Sequence, residues 1–290
     1  MSRIHDALKR AELRQTTPET GTMPSPEARV AGASVVSLDE SRTDASLVEM
    51  ERALVACPPA AWKPDLNTML FFAPQEGRPG MEQFRTLRSR LGLARNDRPS
   101  LKKVLISSAL PQEGKSTVAA NLAQVIVYQD GPRVLLIDAD LRTPCLHQEL
   151  GAPPAPGLAE YMKGDCEELS IIQRGPLQNL YFIPAGTAIS NPAEQIANGR
   201  MKALLDRVEP LFDWIIIDSS PAAVVSDASV LATHCDGVLL VVRSGVTPIE
   251  RAKQACNEFH ESKLLGVVLN AASNGQGPYG REYGQSTRTF

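Results

Sequence analysis

Val104-Leu105-Ile106-Ser107-Ser108-Ala109-Leu110-Pro111-Gln112-Glu113-Gly114-Lys115-Ser116-Thr117 is the stretch that decides the fold. It opens as a short apolar run of strand type. It turns through a loop holding Pro111 and Gly114, then enters a helical pattern over 115–128. The ending matches the phosphate-loop pattern G-x-x-x-x-G-K-[ST], with Ala109 in place of the first glycine. Backbone N–H groups of such a loop face phosphate oxygens, and the N-terminus of the following helix adds the positive end of its dipole. Gly114 permits close approach of the backbone. The Lys115 ammonium neutralises β- and γ-phosphate charge, and the Ser116 hydroxyl is placed to ligate Mg²⁺. Gln112, Glu113, Gly114, Lys115, Ser116 and Thr117 are therefore the candidate residues for holding Mg-ATP.

Outward from this stretch, short apolar runs recur at 103–107, 134–138, 180–183, 214–218, 238–242 and 265–269. Helical patterns lie between several of them, at 115–128, 193–208, 226–233 and 248–261. Buried strands alternating with helices imply an α/β fold with a parallel sheet covered by helices on both faces. Two more strand ends carry acids. One reads Leu135-Leu136-Ile137-Asp138-Ala139-Asp140-Leu141-Arg142, the other Ile215-Ile216-Ile217-Asp218-Ser219-Ser220-Pro221. Ligands of open α/β sheets bind at the carboxyl ends of the strands. A lone strand-end Asp is often a helix cap, but three acids at two strand ends exceed what capping needs. Mg²⁺ favours few carboxylates, with water and phosphate oxygens beside them, and Asp140 and Asp218 with Ser116 form such a set.

The remainder bounds the function class. The 290 residues are 43% hydrophobic and 22% charged, with net charge −3, enough for a sizeable core and a poor match to nucleic acid as the main partner. The five cysteines lack metal or CxxC spacing and are expected to be idle thiols. No apolar run reaches the length of a membrane span, and the N-terminus lacks the apolar core of a signal peptide. Residues 1–15 are expected as a short amphipathic helix with Ile4, Leu8 and Ala11 on one face. Residues 16–65 are expected as a flexible linker, 66–273 as the folded domain, and 274–290 as a flexible tail with Tyr279 and Tyr283. Residues 46–56, inside the linker, have the pattern of a short helix around Leu47, Met50 and Leu54.

Ahead of the phosphate loop, Glu82-Gln83-Phe84-Arg85-Thr86-Leu87-Arg88 places Glu82, Arg85 and Arg88 three residues apart on one helix face. Together with Asp138-Ala139-Asp140-Leu141-Arg142 and Pro144, this makes the chain resemble the cytoplasmic domain of the bacterial tyrosine kinases, autokinases linked to capsule and exopolysaccharide assembly. The resemblance runs from about residue 80 to 273. It implies a MinD/ParA-like P-loop NTPase fold with Walker A, A′ and B motifs, and autokinase activity with ATP and Mg²⁺. By position, Lys115, Ser116 and Thr117 would hold phosphates and Mg²⁺, and Asp140 and Asp218 would support the metal. Asp138 would take the tyrosine proton, and Arg142 would contact phosphate or orient its loop. Glu82, Arg85 and Arg88 would pair with a neighbouring subunit in a ring-like homo-oligomer. Tyr279 and Tyr283 would be the autophosphorylation sites. A membrane polysaccharide co-polymerase would be the activator, recruiting a cytoplasmic protein to the inner face of the membrane.

The chain departs from the family in two places. Its tail has two tyrosines rather than a cluster, and Ser219-Ser220-Pro221 stands where Thr-Pro-Pro is common. Leu110 stands where the related MinD/ParA-type ATPases carry an extra lysine, which counts against that reading and for the kinase. The alternative is an ATPase switch whose nucleotide-dependent oligomerisation regulates the co-polymerase without essential tyrosine phosphorylation. Asn270, at the end of the last apolar run, is expected as a turn cap or a base contact.

Overall fold

The computed structural model describes residues 37–73, 78–128 and 131–272. The chain divides into two units, Met1–Arg42 and Thr43–Phe290. Of the first unit only residues 37–42 are described; they begin helix α1 (Ser37–Ala56). The expected helix at 1–15, the tail from 274 and both Tyr279 and Tyr283 lie outside the described residues.

The second unit is built on β1 (Lys103–Ser108), β2 (Val134–Asp138), β3 (Gln173–Arg174), β4 (Leu180–Ile183), β5 (Trp214–Asp218), β6 (Gly237–Arg243) and β7 (Leu264–Asn270). They form one sheet in the order β3-β4-β2-β5-β1-β6-β7. Every pairing is parallel except β3 with β4. All residues of β2, β4 and β5 are buried, which is why these strands read as unbroken apolar runs rather than as alternating ones.

Successive side chains still diverge to opposite faces. Leu105, Leu135, Ile137, Ile215, Ile217 and Leu240 belong to one core. Val104, Ile106, Leu136, Phe182, Ile216 and Val241 belong to the other. The first core is covered by α5 (Leu158–Lys163), α6 (Pro192–Ala197), α7 (Arg200–Val208), α8 (Asp227–Thr233) and α9 (Ile249–Asn257). The second is covered by α2 (Met81–Asp97), α3 (Lys115–Val127) and the short α4 (Leu146–Leu150).

Two helical expectations are refined. The pattern at 193–208 is two helices, because Asn198 and Gly199 interrupt it and Gly199 sits at φ 87°. The pattern at 248–261 ends at Asn257.

The linker expected over 16–65 is corrected over its described part. Helix α1 buries Met50 and Leu54 in the first core, and Trp62 enters the second. The segment after Trp62 is bound to α3 by buried polar groups. Asn121 Oδ1 accepts from the Leu70 N–H at 2.8 Å, Asn121 Nδ2 donates to the Thr68 carbonyl at 2.8 Å, and Gln124 Oε1 accepts from the Phe71 N–H at 3.1 Å. An orphaned buried N–H costs about 1–3 kcal/mol, so these two side chains make the 68–71 segment part of the domain. Among the described residues no helix is long and apolar enough to cross a membrane, and all five cysteines are free.

Leu54 is 2% exposed and its neighbour Val55 54%. Leu54→Ala is expected to cost about 2–5 kcal/mol, whereas Val55→Ala should stay within about 0.5 kcal/mol. Urea denaturation of both variants checks whether α1 is part of the folded unit; equal midpoints would refute it.

Candidate active site

The register of the sheet assembles the site. Asp138, last residue of β2, lies opposite Asp218, last residue of β5. Ile106 of β1 also lies opposite Asp218, so the loop leaving β1 starts next to the strand of Asp218, with that of Asp138 one strand further. All three candidate aspartates are buried.

The phosphate loop is braced from three sides. Gly114 has φ +86°, a conformation that disfavours any side chain. Gln112 also has a positive φ, 63°. The Glu113 carboxylate is buried and accepts from the Leu110 N–H at 2.8 Å and from the Thr247 hydroxyl. Asn270 Nδ2 donates to the Glu113 carbonyl at 2.8 Å. Glu113 therefore contributes its side chain to the loop's internal frame, and Asn270, expected as a turn cap or base contact, ties the end of β7 to that loop.

Lys115 Nζ lies 2.8 Å from Asp140 Oδ2 and 4.0 Å from Asp218 Oδ2, and it donates to Ser116 Oγ at 3.2 Å. Burial disfavours the ammonium, but Asp218 and Asp140 outweigh it and raise its pKa, so the lysine stays charged. Asp140 shows the reciprocal effect: burial pushes its pKa up, Lys115 overrides, and the net direction is down. Its Oδ1 accepts from the Arg142 and Thr143 N–H groups at 3.3 and 3.1 Å.

Asp218 differs. Neither of its oxygens has a hydrogen-bond partner. Burial lifts its pKa to about 6; Lys115 and Ser116 oppose this, and Asp140 and Glu149 add to it. An unpartnered buried carboxylate beside a serine hydroxyl and a second aspartate fits a divalent cation. Among the described residues no group of three or more His, Cys, Asp or Glu forms a metal cage. A cation here would take most of its ligands from phosphate and water, as Mg²⁺ does.

Asp138 has both oxygens hydrogen-bonded. Its Oδ1 accepts from the Asp140 N–H and its Oδ2 from the Leu146 N–H, both at 3.2 Å. Burial, with Asp218 and Asp140 nearby, holds its pKa well above the ordinary carboxylate value.

Three groups carry no role in the sequence reading. Asp227, first residue of α8, takes both Nε and Nη2 of Arg142 at 2.6 and 2.9 Å. Ser220 Oγ lies 3.2 Å from Asp227 Oδ2 and 3.4 Å from Asp140 Oδ1. Glu149 of α4 accepts from the Thr117 hydroxyl at 3.1 Å, and burial raises its pKa. The only available signal was an acid opening a helix at Asp227, which reads as a cap. Cys145 is pushed up to about 11 by burial, an inert thiol.

On α2, Glu82 and Arg85 pair with each other on the surface. Arg88 instead turns inward and donates to the Val125 carbonyl of α3 at 3.1 Å. The three residues thus do not present one common charged face.

Comparison with known proteins places this geometry. The AAA domain family model matches residues 106–263. The chain is 39% identical to tyrosine-protein kinase YwqD of Bacillus subtilis over 65% of this chain and 80% of that one. It is 34% identical to tyrosine-protein kinase CpsD of Streptococcus agalactiae over 62% and 78%. Its identity to the succinoglycan biosynthesis transport protein ExoP of Rhizobium meliloti is 37%, over 58% of this chain but 22% of that longer protein. The kinase domain of Escherichia coli tyrosine kinase ETK superposes with a TM-score of 0.65 at 28% identity, over 75% of this chain and 86% of that one.

Without nucleotide, Asp218 sets a pH dependence. Its folded pKa lies above that of the unfolded chain, so the folded state keeps a proton that the unfolded state releases. The Asp218 contribution to stability is expected to fall as pH rises from about 4 to about 6, and Asp138, whose pKa is also raised, adds a fall of its own. Asp218→Asn should flatten this slope and raise the melting temperature at pH 7. Thermal melts across pH check it, and an unchanged slope would contradict the assignment.

Proposed function

The chain belongs to the bacterial tyrosine-protein kinases, and from that premise we propose that it transfers the γ-phosphate of Mg-ATP to tyrosine, Tyr279 and Tyr283 of its own tail included. The phosphorylation regulates exopolysaccharide or capsule synthesis and export. The observation that carries this reading is Lys115 Nζ drawn between Asp140 and Asp218, the latter with no hydrogen-bond partner on either oxygen.

The loop N–H groups of residues 112–117 would face the phosphate oxygens, and the Lys115 ammonium would neutralise β- and γ-phosphate charge. Ser116, Asp140 and Asp218 would hold Mg²⁺, which would supply charge neutralisation at the transferred phosphate. The phenol oxygen forms the new bond to the γ-phosphorus as the bond to the ADP oxygen breaks. The phenol proton leaves to a carboxylate, because tyrosine loses it unaided only near pH ~10. Asp138 has the raised pKa suited to this role. Its oxygens accept from the Asp140 and Leu146 N–H groups, so the 138–146 turn must loosen for it to serve. Most of the remaining rate enhancement is positioning and charge stabilisation at the transferred group.

The same reading extends to partners. Exposed Glu82 and Arg85 pair across a subunit contact of a ring, with Arg88 holding α2 in place from within. A membrane polysaccharide co-polymerase activates the protein and brings it to the inner face of the cell membrane. The name of ExoP, a biosynthesis transport protein, supports that assignment.

Incubation with Mg-ATP followed by phosphosite mapping is expected to find phosphotyrosine at Tyr279 or Tyr283, lost in Lys115→Met. Absence of phosphotyrosine even with an activator fragment would sink the kinase reading. Unchanged polysaccharide export in a Tyr279→Phe, Tyr283→Phe double variant, with export lost in Lys115→Met, would favour the ATPase switch.

A further inference from the structure

Asp227 is a buried carboxylate at the start of α8, 85 residues along the chain from the arginine it binds. Both of its oxygens are occupied. Oδ1 accepts from Arg142 Nη2, and Oδ2 accepts from Arg142 Nε and lies within hydrogen-bond distance of the Ser220 hydroxyl. With its oxygens so used it is not aimed at a metal or a phosphate. The Arg142 side chain is 42% exposed, while that of Asp227 is 1%, so a buried acid grips a half-exposed base. Burying a carboxylate is costly unless charge-assisted bonds compensate, and a two-point guanidinium grip is the strongest such compensation available to a side chain.

Two routes lead from Asp227 to Asp140. The first is covalent geometry. Holding the Arg142 side chain fixes the turn in which the Arg142 and Thr143 N–H groups donate to Asp140 Oδ1. The second is the Ser220 hydroxyl, which stands between Asp227 Oδ2 and Asp140 Oδ1. Both routes engage Oδ1, while Oδ2 faces Lys115 at 2.8 Å and also accepts from the Thr143 hydroxyl of the same turn at 3.2 Å.

We infer that Asp227 is a positioning residue: by clasping Arg142 and sharing the Ser220 hydroxyl, it aims Asp140 Oδ2 at Lys115 and the metal-bearing end of the nucleotide. The inference rests on the proposed reading of this site as one for Mg-nucleotide. It also assigns Arg142 to orienting its loop rather than to touching phosphate. Groups that support a metal ligand from behind in this way typically change metal affinity about 10–100-fold when removed.

The test measures affinity for ADP by calorimetry in EDTA and in a Mg²⁺ series, on the full chain. The tightening that Mg²⁺ gives the wild type is expected to shrink about tenfold or more in Asp227→Asn, with affinity in EDTA held within about twofold. Arg142→Ala should show the same loss, and the double variant no more than either single one. Ser220→Ala keeps the ion pair and should lose part of the Mg²⁺ effect. A thermal melt of each nucleotide-free variant accompanies the titrations.

Wild-type Mg²⁺ dependence in Asp227→Asn overturns the inference. Equal loss with and without Mg²⁺ also overturns it, because that is general damage. If Asp227→Asn does not fold, an unaffected Ser220→Ala decides against the inference. Additive losses from Arg142→Ala and Asp227→Asn would return Arg142 to the phosphate. A wild-type protein that gains no ADP affinity from Mg²⁺ would instead refute the reading of the site, and the inference with it.

Discussion

One lysine among carboxylates governs this end of the molecule. Three aspartates lie buried at the ends of two adjacent strands, where their mutual repulsion and loss of hydration are both costly. Lys115 relieves the cost unevenly: Asp140 is held ionised, whereas Asp218 and Asp138 have raised pKa values. The site is therefore electrostatically unfinished. A cation beside Asp218 and phosphates before Lys115 would complete the charge balance.

The fold supplies that arrangement through register and little else. Parallel pairing of β2, β5 and β1 puts their carboxyl ends along one edge, and alternation of side chains gives each strand a core on both faces. The rest is bracing. Glu113 braces the phosphate loop from inside, Asn270 from β7, and Asp227 grips the turn after β2 through Arg142.

The strands, the phosphate loop and the acids Asp138, Asp140 and Asp218 were legible in the sequence because each is a local pattern: an apolar run, a glycine before a lysine, an acid at a run's end. Asp227 was not, because its partner is 85 residues away and an acid opening a helix has an ordinary explanation in capping. The packing of α1 and Trp62 onto the domain, ahead of the boundary read at residue 66, was hidden for a related reason. Pro58, Pro59 and Pro64 break any period there. The inward turn of Arg88 was also beyond reach, since three-residue spacing specifies a helix face only approximately.

The bond from Asn270 to Glu113 spans 157 residues of chain. The sequence motif is complete by Thr117, yet the shape of the loop depends on the last strand of the sheet. During synthesis the phosphate loop emerges early and stays without that brace until β7 docks, a contact of high sequence separation that carries a large closure entropy. A nascent or C-terminally clipped chain would carry every letter of the motif without the rigid cradle. In kinetic terms, the segment most easily recognised in the sequence is among the last to acquire its final form.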